Sequence, residues 1–238
     1  MCACAASVPC AQYYYISDGA HVPYGNRPPE EILRLTLAAL DGINDLKPSA
    51  LVVACNTVTA NCIEMLRQKF TFPVVGIQPA VKQAANIGGR CLVLATNATV
   101  KSKAFLKLVD KFAPEETTVV GCGTLAEYIE RNVPNIPDSL PEGLLPDVKT
   151  DSVVLGCTHY AFVKKQIEDR YNCPVFDGIE GTAAHFSEIM GITDHYYAQN
   201  GDFRPLAEKQ LKITFNCKNI EHYAQIMKYL FSIRGFCS

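Results

Sequence analysis

The sequence predicts an α/β protein of two similar parallel-sheet α/β domains related by pseudo-twofold symmetry, with the active site in the cleft between them. Three observations carry that reading. Short β-rich runs alternate with longer stretches of helical pattern, as in βα units. Most of these runs are continuously apolar, as strands buried on both faces of a parallel sheet are. One strand-cysteine-helix unit also occurs twice in the chain.

Taken in order, Met1 to Gln12 is small and Cys-rich, with no Lys or Arg and no long apolar run, so it reads neither as a secretory leader nor as an ordered element. Strands are expected at Tyr13–Ser17, Ala50–Ala54, Pro73–Ile77, Arg90–Ala95, Thr117–Gly121, Ser152–Leu155 and Pro174–Phe176. The Tyr13-Tyr14-Tyr15 run fits strand packing. Helices are expected at Pro29–Leu46, Thr57–Lys69, Pro79–Asn86, Thr99–Phe112, Thr124–Arg131, Tyr160–Tyr171 and Gly181–Met190. Pro28 and Pro29 stand where helix starts tolerate proline. Gly88-Gly89 reads as a turn, and the proline-rich stretch from Asn132 to Val148 as a surface loop.

The repeat places Ala50-Leu-Val-Val-Ala-Cys55-Asn56-Thr57 over Ser152-Val-Val-Leu-Gly-Cys157-Thr158-His159. Each unit is a short apolar strand, a cysteine, two polar residues and a helix, and a Pro-Val strand begins 18 and 17 residues after the respective cysteine. Ligands of open α/β sheets sit beyond the carboxyl ends of the strands, where helix N-termini attract anions and lower a thiol's pKa. Two such units facing each other put a thiol on each side of one cleft. That arrangement suits removal of a proton from one face of a carbon and return of one to the other, which inverts a stereocentre.

Composition narrows the partner. The 238 residues are 48 % hydrophobic and 19 % charged, which excludes disorder as the main state. Lys and Arg (22) nearly balance Asp and Glu (24) with no run of like charge, so neither a nucleic-acid footprint nor a polybasic membrane surface is expected. No segment has the roughly 18 consecutive apolar residues of a membrane span. A small-molecule substrate fits. The eleven cysteines point to reduced thiols and a cytoplasmic setting. Cys2, Cys4, Cys10, Cys62, Cys91, Cys173, Cys217 and Cys237 read as small buried hydrophobes. Cys157 and His159 form a lone pair two residues apart, which does not make a zinc site. His21, His185, His195 and His222 read as surface or packing residues.

Five motifs in order resemble the aspartate/glutamate racemase family from about Tyr13 to His185: Val22-Pro23-Tyr24-Gly25 after Asp18, Ala54-Cys55-Asn56-Thr57, Pro73-Val-Val-Gly76 with Pro79-Ala80, Val93-Leu-Ala-Thr96, and Gly156-Cys157-Thr158-His159-Tyr160. The Cys-Thr-His and Pro-Tyr-Gly segments resemble its glutamate branch. The resemblance implies interconversion of L- and D-glutamate without pyridoxal phosphate, metal or nucleotide, supplying D-glutamate for peptidoglycan. It implies that Cys55 is the base toward the D enantiomer and Cys157 toward the L, with His159 and Glu130 assisting. Tyr24, Gly25, Asn56, Thr57, Thr158 and His159 would hold the substrate, and a homodimer is an assembly to expect. Glu130 is reached through Cys122-Gly123, where the family has Cys-Pro. The expected domains are 1–79 plus 179–238, and 80–178. Two alternatives share these residues: a racemase or isomerase of another small acid such as aspartate or a hydantoin, and a binding or regulatory member with impaired catalysis.

The sequence departs from the family at its front. Family members open with a strand ending in Asp-Ser-Gly-Val-Gly-Gly, and Met1 to Gln12 contains no such motif. The expectation is that this first strand is encoded upstream of Met1 or has been lost, and that the 238-residue chain racemises glutamate weakly or not at all and is marginally stable.

Overall fold

The computed structural model describes residues 1–8, 11–191 and 211–215. Cys10, His195, Cys217, His222 and Cys237 lie outside the described residues, as does most of the 179–238 segment.

In the second half of the chain, β4 (Cys91–Ala95), β5 (Thr117–Gly121), β6 (Ser152–Gly156) and β7 (Val175–Asp177) form a parallel sheet in the order β5-β4-β6-β7. Every residue of β4 and β6 is buried, as their unbroken apolar runs require. Alternate side chains go to opposite faces. Cys91, Val93, Ala95 and Val154 pack with Val81 of α4 (Val81–Ile87) and Phe105 of α6 (Lys103–Phe112). Leu92, Leu94, Val153 and Leu155 pack with Leu125 and Ile129 of α7 (Gly123–Asn132) and Ile167 of α8 (Lys164–Tyr171).

The first half holds two parallel strand pairs. One joins β2 (Leu51–Val53) to β3 (Val74–Gly76), and the other joins β1 (Tyr13–Ser17) to β8 (Leu211–Phe215). No ladder links the two pairs among the described residues. Ile32 and Leu35 of α2 (Pro29–Ala39) pack with Val58, Ile63 and Leu66 of α3 (Asn56–Lys69) over Val53 and Val74. A second cluster joins Val75 to Phe186 of α9 (Ile179–Ile189) and to Cys4 of α1 (Cys2–Ser7). α1 corrects the reading of Met1–Gln12 as unstructured. It is held because the Tyr13 hydroxyl lies 2.9 Å and 2.8 Å from the carbonyl oxygens of Cys4 and Val8 at the end of the short helix, adding to the backbone N–H bonds that those oxygens accept from Val8 and Ala11.

Three expected helices are divided. The Pro29–Leu46 pattern ends at Ala39 and resumes as a 3₁₀ turn at Ile43–Leu46, because Gly42 between them adopts a left-handed φ of 73°. Thr99–Phe112 divides into α5 (Asn97–Val100) and α6, since the Ser102 side chain accepts the Phe105 N–H and starts a new helix. Tyr160–Tyr171 begins as a 3₁₀ helix at Thr158–Val163 before α8. β8 lies in a segment for which no strand was expected. The stretch 133–148 is neither helix nor strand, as its prolines require.

Between β3 and α4, and between β7 and α9, the chain runs past itself. Gly178 sits so close to the Gln78 carbonyl that a Cβ on it would overlap the oxygen, whereas Gly181, one turn into α9, faces open space. Gly178→Ala is therefore expected to cost about 2 kcal/mol through forced backbone displacement. Gly181→Ala is expected to be neutral or to add up to roughly 1 kcal/mol of helix stability. Thermal unfolding checks this: the melting temperature of Gly178→Ala should fall by roughly 4 to 8 °C, and equal melting temperatures for the two variants would refute the contact.

Candidate active site

Register builds one side of the site. Ala95 is level with Gly121 on β5 and Gly156 on β6, so the next residues, Thr96, Cys122 and Cys157, leave the sheet at one carboxyl edge. Thr96 caps α5, its hydroxyl accepting the Thr99 N–H at 3.3 Å. Cys157 is buried and precedes the 3₁₀ helix that begins at Thr158, which is half-buried.

Behind Cys157 runs a chain of polar groups. Cys157 Sγ lies 3.9 Å from His159 Nδ1, and His159 Nε2 lies 2.8 Å from Glu130 Oε2 of α7. Burial alone would push the imidazole pKa down. The hydrogen bonds to Cys157 and Glu130, with the negative charge of both, outweigh it and hold the pKa up to about 10. At neutral pH both ring nitrogens then carry protons, one aimed at the sulfur and one at the carboxylate. Tyr160 is fully buried beside them and donates its hydroxyl to the Cys122 carbonyl at 2.5 Å.

The other side comes from the first copy of the repeat. Cys55 follows β2 and directly precedes α3. Burial pushes its thiol up to about 11, and the negative charge of Cys157 adds to the rise, so the two sulfurs share one electrostatic neighbourhood. The N–H groups of Thr57 and Val58 and the Thr57 hydroxyl offset part of that shift. Asn56 is 4 % exposed, and its amide Nδ2 has no hydrogen-bond partner. A buried donor left unpaired costs roughly 1–3 kcal/mol, so this amide is suited to an acceptor brought by a ligand. Thr57 Oγ1 lies 2.9 Å from Thr96 Oγ1, which lies 2.8 Å from Thr99 Oγ1, so buried hydroxyls join the two halves next to Cys55.

The Tyr24-Gly25 segment completes the group. Burial, then the hydrogen bond to Asp18, then the charges of Asp18 and Cys55 raise the Tyr24 pKa. Tyr24 Oη donates to Asp18 Oδ2 at 2.5 Å, and His21 Nδ1 sits 2.8 Å from the other oxygen. The Gly25 carbonyl accepts the Ala98 N–H at 2.8 Å, which holds this loop against α5. Electrostatic interaction thus links Tyr24 to Cys55 and Cys55 to Cys157, and hydrogen bonds link His159 to Cys157 and Glu130. Asp18, Asn26, Thr96 and Thr99 were not among the expected site residues. Thr96 was within reach of the rule that placed the cysteines, since it ends a buried apolar strand; the Asn26 contacts described below had no signal in the sequence.

Two open recesses lie elsewhere. One, about 320 Å³, is lined by Arg90, Glu116, Thr117 and Thr150 at the amino ends of the strands, the wrong edge of a parallel sheet for a ligand. The other, about 450 Å³, lies among Asn44, Lys47, Lys69 and Phe72. Among the described residues no group of three or more His, Cys, Asp or Glu side chains is arranged to hold a metal. Cys4, Cys62 and Cys91 are buried, as read from the sequence, while Cys173 is half-buried. His185 is exposed.

Comparisons with known proteins identify the family and the fold. The profile of the Asp/Glu/Hydantoin racemase family matches residues 2–186. A glutamate racemase of Clostridium perfringens is 36 % identical over 186 residues, covering 74 % of this chain and 72 % of the relative. One from Clostridium acetobutylicum is 35 % identical over 198 residues, covering 79 % and 77 %. The crystal structure of Escherichia coli glutamate racemase with L-glutamate and the activator UDP-MurNAc-Ala superposes with a TM-score of 0.76 at 23 % identity, covering 97 % of this chain and 90 % of that one, and shows the shared fold. A glutamate racemase isoform of Bacillus anthracis superposes with a TM-score of 0.66 at 25 % identity, covering 90 % and 81 %.

The raised pKa of His159 has a consequence for stability. A folded-state pKa of about 10 against an unfolded value of 6.5 gives a contribution that is complete below the unfolded value and lost as pH rises through the folded one. Wild type should therefore be more stable than Glu130→Gln at neutral pH, and the gap should narrow as pH climbs toward 10. Denaturant unfolding of both proteins across that window checks this, and a gap independent of pH would count against the pairing.

Proposed function

The chain belongs to the Asp/Glu/Hydantoin racemase family, and we propose on that premise that it is a glutamate racemase interconverting L- and D-glutamate through Cys55 and Cys157. The observation that carries the mechanism is that two repeat-equivalent thiols, at the carboxyl ends of β2 and β6, share one electrostatic neighbourhood. The thiolate of one cysteine takes the α-proton, breaking the C–H bond and forming S–H. The thiol of the other delivers its proton to the opposite face, breaking S–H and forming the new C–H bond. After one turnover the two sulfurs have exchanged protonation states, and proton exchange with solvent resets them.

The surrounding groups supply what two thiols cannot. An α-proton beside a carboxylate is far less acidic than a thiol, so the developing carbanion needs preorganised donors. The unpartnered Asn56 Nδ2 and the N-terminus of α3 would receive the substrate's carboxylate, with Thr57, Thr158, Tyr24 and Gly25 around it. His159 holds a proton at Nδ1 facing Cys157 and can hand it over or take it back as that sulfur works on the L face. Glu130 keeps the imidazole oriented through Nε2. Cys55, pushed up to about 11, is held as the thiol at neutral pH, ready to donate until it is called on as base toward the D enantiomer.

In this reading residues 1–79 with 179–238 form one domain and 80–178 the other, the chain crossing where Gln78 meets Gly178. The reaction belongs in the cytoplasm, where thiols stay reduced, and supplies D-glutamate for peptidoglycan. The family's reaction needs no pyridoxal phosphate, and no step above calls on one.

Cys55→Ser and Cys157→Ser are each expected to lower turnover by at least about a hundredfold, because a hydroxyl is a much weaker acid than a thiol and proton transfer by a positioned group contributes roughly 10²–10⁴. In heavy water, product formed from either enantiomer should carry deuterium at the α-carbon, read by NMR. Wild-type turnover in either variant, or full retention of the original α-proton, would reject the two-thiol mechanism.

A further inference from the structure

Asn26 directly follows the Tyr24-Gly25 segment but belongs to no part of the mechanism above. Its side-chain amide is used at both ends. Asn26 Oδ1 accepts from Asn97 Nδ2 at 2.8 Å, and Asn26 Nδ2 donates to Glu127 Oε1 at 2.9 Å. These contacts need room on the second half of the chain. A Cβ on Gly123 would overlap the Asn26 amide, and one on Gly121 would overlap the Asn97 amide. The two glycines flank Cys122, so the segment from the end of β5 into the first turn of α7 is shaped to accept this pair of amides. Glu127 and Glu130 lie three apart on α7 and so share one helix face. One of them grips Asn26 from the first half, and the other grips His159.

We propose that Asn26 is a positioning residue: by clamping Glu127 and packing over Gly123 it fixes α7 in the register that keeps Glu130 behind His159 and Cys157. The placement of the segment that carries Tyr24 and Gly25 is thereby coupled to the protonation machinery of one cysteine only. The proposal rests on the racemase reading for its kinetic consequence and on geometry alone for its structural one.

The test uses the full chain carrying Asn26→Ala, Asn26→Asp, or Asn26→Asp combined with Glu127→Gln. The first two should lower kcat about tenfold, the scale of a sub-ångström misplacement of a catalytic group, with a smaller change in KM. The double variant should recover most of kcat, because its new carboxylate can accept from both Asn97 and the introduced amide. With α-deuterated substrates, the isotope effect in Asn26→Ala should rise for L-glutamate, where the Cys157 side removes the proton, and fall for D-glutamate. A purely structural loss would move both together and overturn the proposal. The second readout does not depend on activity. NMR titration of His159 should show its midpoint in Asn26→Ala lowered by about one pH unit relative to wild type, as weakened contact with Glu130 requires. If wild type fails to racemise glutamate, the racemase reading falls and the titration alone decides the clamp. An unchanged His159 midpoint overturns the clamp whatever the activity.

Discussion

The ladder that pairs Ala95 with Gly121 on one side and Gly156 on the other is the constraint on which the site depends. Parallel pairing sets three strand ends level, so each strand leaves the sheet at the same edge. Thr96, Cys122 and Cys157 are the first residues past that edge, so polar side chains arrive together without any long-range design beyond register. A slip of one residue would turn Cys91, Val93 and Ala95 toward α7 and Leu92 and Leu94 toward α4, which volume mismatch on both faces resists.

The same logic explains what could be read in the sequence. Buried parallel strands announce themselves as continuous apolar runs, so β2, β3, β4, β6 and β7 were legible to within a residue or so at each end, while the more exposed Tyr13–Ser17 and Thr117–Gly121 were legible to the residue from their aromatic and β-branched content. The placement of the two cysteines between a strand end and a helix start was legible because the repeat made them equivalent. Helix interiors were legible, but their breaks were not: the left-handed φ of Gly42 and the cap made by Ser102 are single-residue events inside patterns that remain periodic across them. α1 was missed because its stability comes from Tyr13, Val75 and Phe186, which lie on other elements. Asn26 was missed for a similar reason, since its partners Asn97 and Glu127 are 71 and 101 residues away.

The first half of the chain shows how packing can proceed where a ladder does not. β1 with β8 and β2 with β3 share no backbone pairing among the described residues, yet one apolar cluster spans them. Tyr13 from β1, Val52 from β2 and Val75 from β3 all meet the side chains of α1 and α9 there. Side-chain burial and the Tyr13 hydroxyl tie α1 to these strands, a weaker link than strand pairing because it satisfies few backbone groups. Cys55 sits on this half, at the end of the β2–β3 pair, with the N–H groups of Thr57 and Val58 and the Thr57 hydroxyl beside its sulfur, and Thr57 in turn reaches the opposite half through Thr96.

Pseudo-symmetry of backbone therefore coexists with asymmetry of protons. Both cysteines end apolar strands and precede helices, but Cys157 faces an imidazole whose pKa its hydrogen bonds to Cys157 and Glu130 hold up to about 10 against burial, while Cys55 is itself pushed up to about 11 by burial and by the charge of Cys157. A reaction that lifts a proton from one face and returns one to the other needs one sulfur charged and one neutral at every moment; two identical environments would favour neither arrangement. Mutual repulsion makes double ionisation costly; a cation stands behind Cys157, whereas burial favours the neutral thiol at Cys55. Since racemisation joins two enantiomers of equal free energy, this imbalance cannot alter the equilibrium. Under the proposed two-thiol chemistry the imbalance would set only which face is ready first.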